Sequence, residues 1–263
     1  MPAASFPFYV PMMRAHAGYL SWIVVNEVGV EIQDLLHTES ARSAPLPCAR
    51  DLGEFWRRSL ARIEVPRSVH GPELVSSQCQ DHRLGALRAG MELAASIGAR
   101  HLLAHPRLGS LSGPTRDAAI DFWRLVAEES HGRGIVLTLE NTDEGEPETM
   151  DAFCGALGTE ATGLCLDVGH AHMSSSACLE RWLDVFGPRL RYVHLYNATR
   201  GSSSHRALGD GEIDVEAFLG RLACRRMPVP VCLEMDVPQI LGSTPWLSAR
   251  GFFRLRSPEA DLF

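Results

Sequence analysis

Eight short apolar runs recur along the chain, at Phe6–Val10, Val28–Ile32, Ser68–His70, His101–Ala104, Ile135–Leu139, Gly163–Leu166, Arg191–Leu195 and Val229–Leu233. Their nearly continuous apolar character is that of parallel strands covered on both faces, in contrast to the alternation of a half-exposed sheet. The segments between them repeat at helical spacing. Leu84, Leu87, Met91 and Ala94 share one face, as do Ile120, Trp123 and Ala127, then Leu179, Trp182, Leu183 and Phe186, then Val215, Phe218, Leu219 and Leu222. Gly98, Gly132 and Gly134 fall where such helices should end. Strand followed by helix, eight times over, predicts an α/β chain whose closed solution is a single-domain (β/α)8 TIM barrel over 1–263. An open doubly wound sheet fits the same alternation. No Pro/Ser-rich linker, charge block or low-complexity tract divides the chain, and the serine triplets at 174–176 and 202–204 have the character of loops.

Composition narrows the function. With 263 residues, 45% hydrophobic and 22% charged, the chain has too much apolar material to be disordered, and one large core is within reach of its length. A net charge of −7 disfavours a protein that grips nucleic acid through its phosphates. The seven cysteines form no Cys-x-x-Cys pair and several lie inside apolar runs, a free-thiol pattern. Near the beginning no basic segment is followed by a sustained apolar stretch, and Tyr19–Val25 is far short of the ~20 residues of a spanning helix. The expectation is a soluble, cytoplasmic protein with no membrane partner.

Polar side chains capable of binding metal stand where the apolar runs stop: His70, His105, Glu140, Asp167 with His170, His194 and Glu234. Successive strand-end positions are separated by 27 to 40 residues, about one βα unit. In a barrel the C-terminal strand ends meet at one mouth, so these side chains converge. Each taken singly has an ordinary alternative, a satisfied loop histidine or, for Asp167, a helix cap; six at matched positions point to a metal. Carboxylates mixed with neutral imidazoles suit Zn²⁺, Mn²⁺ or Fe²⁺, and a set spread over many strands suits a catalytic site more than a closed structural one. His16, His37, His82, His101 and His131 lie off the strand ends and are read as ordinary; His172 is ambiguous. Glu31 either faces the mouth or packs on a helix, and is not assigned to the chemistry. Gly209-Asp-Gly211 is a turn and no dinucleotide fingerprint. The segment from Val237 onward, with Trp246, Phe252 and Phe253, either closes the barrel or meets a second subunit, which leaves a homo-oligomer open.

The motifs Val28-GVEIQ-Asp34, Val69-HGPE-Leu74, Ala104-HPRLG-Ser110, Leu139-ENT-Asp143, Cys165-LDVGHAH-Met173, Val193-HLYN-Ala198, His205-RALGDGEID-Val215 and Leu233-EM-Asp236 follow one another along nearly the whole chain. In these blocks the chain resembles the xylose isomerase-like superfamily of TIM barrels, which holds sugar (phosphate) isomerases and epimerases and the endonuclease IV type of abasic-site nucleases. The isomerase pattern implies one divalent ion on Glu140, Asp167, His194 and Glu234. Glu140 and Glu234 then also move a proton beside the carbonyl, and His170 meets a substrate hydroxyl. Arg206 either pairs with a substrate phosphate or hydroxyl or is a structural surface arginine. The nuclease pattern implies two or three zinc ions, with His70, His105, His170 and His205 as additional ligands, and a water activated for attack on phosphorus. There Ser203 stands where that pattern has an aspartate, and serine is a poor zinc ligand. The resemblance therefore implies a divalent metal, Zn²⁺ or Mn²⁺, in one to three copies. The negative charge, the Ser203 departure and the lack of a basic, aromatic-studded loop favour the isomerase or epimerase reading, with a sugar or sugar phosphate as partner.

Overall fold

The computed structural model describes residues 6–13, 16, 19–35, 49–74, 79–108, 111–158, 160–202, 204–225 and 229–256. Eight parallel strands close on themselves in sequence order: β1 Phe8–Met12, β2 Gly29–Ile32, β3 Arg67–His70, β4 His101–Ala104, β5 Val136–Glu140, β6 Thr162–Asp167, β7 Leu190–Leu195 and β8 Val231–Leu233. β8 pairs with β1 through Phe8↔Val231 and Tyr9↔Cys232, which rules out the open sheet. Around them run α1 Leu20–Asn26, α2 Ala49–Ser59, α3 Gln80–Ile97, α4 Gly113–His131, α5 Pro147–Leu157, α6 Val168–Ser174, α7 Leu179–Phe186, α8 Val215–Cys224 and α9 Val237–Ala249. The amphipathic faces turn inward as their spacing predicts: Leu84, Leu87, Met91 and Ala94 on α3 and Val215, Phe218, Leu219 and Leu222 on α8 are all buried. Gly98 ends α3 in the left-handed conformation at φ 67°, which its missing Cβ makes inexpensive.

Each apolar run forms a strand, with ends that differ for physical reasons. β1 starts later and continues to Met12, because its register with β2 runs from Tyr9↔Gly29 to Met12↔Ile32. β8 starts at Val231 because Pro230 has no N–H for the ladder, although its carbonyl accepts from Val193 at 2.9 Å. β5 and β6 run one residue further, through Glu140 and Asp167.

The strands are less uniform than continuous apolar runs suggest. On alternate positions Val30, Val69, Leu102, Leu137, Leu164, Val193 and Val231 belong to the core beneath the helices. The intervening positions face the lumen, where Tyr9, Leu103, Cys165, Tyr192 and Cys232 form a separate cluster. Polar side chains share that interior and bond across it: Ser68 Oγ lies 2.8 Å from Tyr192 Oη, and His101 Nδ1 3.2 Å from Thr138 Oγ1. Each strand thus carries one apolar row outward and one mixed row inward, and the upper end of the inward row reaches the mouth.

The segment after α9 closes onto the barrel. Phe253 packs edge-on against Phe8 with centroids 5.6 Å apart, and Phe252 lies 6.5 Å from Phe6. All cysteines among the described residues are free thiols. Among the described residues no helix is long and apolar enough to cross a membrane.

Candidate metal centre and active site

Glu140 and Asp167 end β5 and β6 and His194 is the penultimate residue of the adjacent β7, paired in register as Glu140↔Cys165 and Asp167↔His194, and Glu234 follows β8 directly. One ligand atom from each of Glu140, Asp167, His194 and Glu234 lies within 4.8 Å of the others, and all four side chains are buried. His194 Nδ1 faces Glu140 Oε2 at 3.1 Å and Glu234 Oε2 at 3.2 Å. Asp167 is also the N-cap of α6: its Oδ1 accepts from the His170 backbone N–H at 2.6 Å.

These residues fit a cation. Asp167 Oδ2 and His194 Nδ1 are buried and make no hydrogen bond, and His194 Nδ1 is the atom that faces Glu140 and Glu234. Burial, then Glu140 and Glu234, push the Asp167 carboxyl well above its ordinary range. Burial opposes a charge on His194, but Cys165, Glu140, Glu234 and Glu31 hold it well above its ordinary value. Burial also works against ionised Glu140 and Glu234, yet His194 and His105 keep Glu140 well below the usual range and His194 brings Glu234 down to about 2. A carboxylate-rich pocket that recruits protons in this way is suited to a divalent ion.

A second ligand group adjoins the first. His70 Nε2 and His105 Nε2 lie 3.2 and 3.3 Å from Glu140 Oε2, and the two rings meet edge to face at 4.9 Å. His70 Nδ1 can only donate to the Gly71 carbonyl at 3.0 Å, which leaves its Nε2 lone pair toward the mouth when the ring is neutral. His105 Nδ1 is buried without a hydrogen-bond partner, and its Nε2 meets only Glu140. Burial disfavours charge on His70, but its hydrogen bond to Glu140 and the charges of Glu140 and Glu31 push it up to about 9.

Above the ligands are two lobes of a cavity that share His205 and Glu234. One, about 350 Å³, is lined by Glu73, His105, Arg107, Glu140, Thr142, Asp143 and His170; the other, about 370 Å³, by Pro11, His16, Gln33, Met235 and Gln239 among others. His170 and His205 therefore line the cavity, but neither side chain joins a group of ligand atoms. His205 is held instead by Nδ1–H donation to the Glu234 carbonyl at 2.7 Å and by stacking on Tyr196, centroids 3.7 Å apart. Arg206 lines neither lobe: its guanidinium pairs with Asp210 at 3.2 Å. Ser203 and His37 lie outside the described residues. His172 pairs with Glu212 at 3.3 Å.

Sequence reasoning missed several residues at the site. His16 lines the cavity. Glu31 is fully buried and reaches His194, and Gln33 bridges Glu31 and Glu234. The signal for Glu31 and Gln33 was their alternation in Val28-GVEIQ, which puts both on one face of the strand. Cys165 and Cys232 also lie within ligand distance of His194, but burial pushes both thiols well above their ordinary value, so they remain protonated and are poor ligands.

The profile of the xylose isomerase-like TIM barrel family matches residues 25–255. No curated protein has a matching sequence. Among solved structures, the chain is similar to the TTHB071 protein of Thermus thermophilus soaked with ZnCl2 (22% identity, 93% of this chain and 98% of that one, TM-score 0.73). It is also similar to the E. coli 3-keto-D-glucoside 4-epimerase YcjR (14% identity, 93% and 100%, TM-score 0.70). A third is a Methylomonas D-allulose 3-epimerase in complex with D-allulose (17% identity, 92% and 91%, TM-score 0.65).

Proposed function

Since the chain belongs to the xylose isomerase-like TIM barrel family, we propose that it is a divalent-metal-dependent isomerase or epimerase of a sugar or sugar phosphate. The observation that carries this reading is the meeting of Glu140, Asp167, His194 and Glu234 around one point, with unpartnered ligand atoms turned toward it. The epimerases of similar fold act on sugars, which supports the substrate class.

In this reading Asp167 and His194 serve as ligands, while Glu140 and Glu234 both bind and move protons. The two glutamates come from different strands of the mouth, β5 and the end of β8, three strands apart, so one can remove a proton from carbon and the other return one. Both are held ionised at neutral pH, as a base must be. A carboxylate is too weak a base for an ordinary C–H bond. When bound, a divalent ion supplies the Lewis acidity that lowers the pKa of carbon next to a carbonyl. His170 and His205 line the space where substrate hydroxyls would sit, and Arg107, paired with Glu73, adds a cation at the same lobe. The test is to incubate the Zn²⁺- or Mn²⁺-loaded protein in D2O with a panel of ketohexoses and their phosphates. Deuterium entering beside the carbonyl, and lost on chelation, supports the reading; no exchange on any member argues against it.

A second reading, a metal-dependent phosphoester hydrolase of the endonuclease IV type, is favoured by the second group of His70, His105 and Glu140. Two ions sharing Glu140 would suit attack of an activated water on phosphorus. Hydrolysis of an activated phosphodiester such as bis(p-nitrophenyl) phosphate, without deuterium exchange, would select it.

A further inference from the structure

The four-ligand centre leaves one imidazole nitrogen unexplained, and β2 meets it. His194 turns Nδ1 toward Glu140 and Glu234, while Nε2, on the far side of the ring, lies 3.1 Å from Glu31 Oε2. A carboxylate can only accept there, so Nε2 carries a proton, and whenever the ring is neutral, as a ligand must be, Nδ1 keeps its lone pair. The second oxygen, Glu31 Oε1, accepts from Gln33 Nε2 at 2.9 Å, and the same amide nitrogen donates to Glu234 Oε1 at 3.1 Å. Both neighbours of that nitrogen are carboxylate oxygens, which fixes which end of the amide faces them. Glu31 and His194 are fully buried and Gln33 nearly so, so water does not compete for these bonds.

We infer that Glu31 and Gln33 form a positioning strap: Glu31 selects the tautomer and plane of His194, and Gln33 ties that carboxylate to Glu234, so that two ligands from β7 and β8 are aligned from β2. This rests on the reading of Glu140, Asp167, His194 and Glu234 as the metal centre. Neither strap residue touches the reacting atoms. Gln33 lines the cavity, but its amide hydrogens are spent on the two carboxylates. The strap makes metal retention depend on a strand that supplies none of the four ligands. Outer partners of this kind set ligand orientation, and their loss characteristically costs 10- to 100-fold in metal affinity.

The test titrates the full-length Zn²⁺-loaded chain with a competing chelator. Glu31→Gln keeps the shape but removes the charge, and is expected to lose Zn²⁺ at a 10- to 100-fold lower chelator concentration than wild type. Gln33→Leu should shift in the same direction by a smaller factor. A merely structural role would lower the unfolding temperature without moving Zn²⁺ retention, so equal retention in variants and wild type overturns the strap and leaves the metal centre standing. A wild-type chain that takes up neither Zn²⁺ nor Mn²⁺ overturns the metal centre and the strap together. Independent of any variant's folding, ¹⁵N spectra of the histidines in Zn²⁺-loaded wild type should show His194 protonated on Nε2 and coordinated through Nδ1; coordination through Nε2 overturns the strap.

Discussion

Asn141 and Asp167 are joined by a reciprocal pair of hydrogen bonds: Asn141 Nδ2 donates to the Asp167 carbonyl at 3.0 Å, and the Asp167 N–H donates to Asn141 Oδ1 at 2.9 Å. The side chain thereby imitates one more rung of the β5–β6 ladder, beyond Glu140, and sets two ligand-bearing strand ends at a fixed stagger. Asn141→Ala strands a buried N–H and a buried carbonyl, a cost of about 2 kcal/mol or more. Denaturant unfolding should show that loss together with weaker Zn²⁺ retention; wild-type values of both would mean the pair is dispensable.

Asp167→Asn separates the two tasks of that residue. Asparagine can still accept from the His170 N–H, so α6 keeps its cap, but the side chain can no longer ionise to give a cation an anionic ligand. The expected outcome is a folded protein whose Zn²⁺ affinity falls at least about tenfold, and Glu140→Gln should behave likewise. Circular dichroism and chelator competition measure the two properties separately.

Gly169 is a packing requirement. A Cβ built there would stand 2.0 Å from Tyr196 Cε2, within the ring that stacks on His205. Gly169→Ala must push that ring aside, at a cost of about 1–3 kcal/mol. Equilibrium unfolding reads the cost, and a changed near-ultraviolet tyrosine signal reads the displaced stack.

His101 makes an acid-sensitive contribution at the other end of the lumen. Burial, then Arg100 and Arg191, bring its pKa down to about 4. In the unfolded chain it takes a proton near 6.5, so the unfolded state binds more protons between those values and stability falls as pH drops from 6.5 to 4. At ~1.4 kcal/mol per unit the contribution reaches at most roughly 3 kcal/mol. His101→Asn should flatten the stability–pH curve over this window and leave it unchanged above about pH 7; parallel curves for the two proteins would show that His101 titrates normally.

The barrel was legible because its strands show as short apolar runs and its helices by their period, and the convergence of Glu140, Asp167, His194 and Glu234 because each stands at or beside a strand end in a repeating unit. Glu31 was harder to place. Its partner His194 is 163 residues away, and the bond between them exists only because β2 and β7 face each other across a closed lumen. Asn141 sits beside a ligand in the sequence, yet its role is to pair with a neighbouring backbone, for which there is no residue-type signature. Arg206 shows the converse. Adjacent to His205 in sequence, it points its guanidinium to Asp210 because neighbouring side chains on an extended segment leave in different directions.

The proposed function requires that Glu140, Asp167, His194 and Glu234 hold a divalent ion. Elemental analysis of the full-length protein, purified without chelator and equilibrated with Zn²⁺ or Mn²⁺, tests it most directly. One tightly held ion per chain is expected, with a second only if His70 and His105 also coordinate. A chain that retains no stoichiometric metal after exposure to either ion would contradict it.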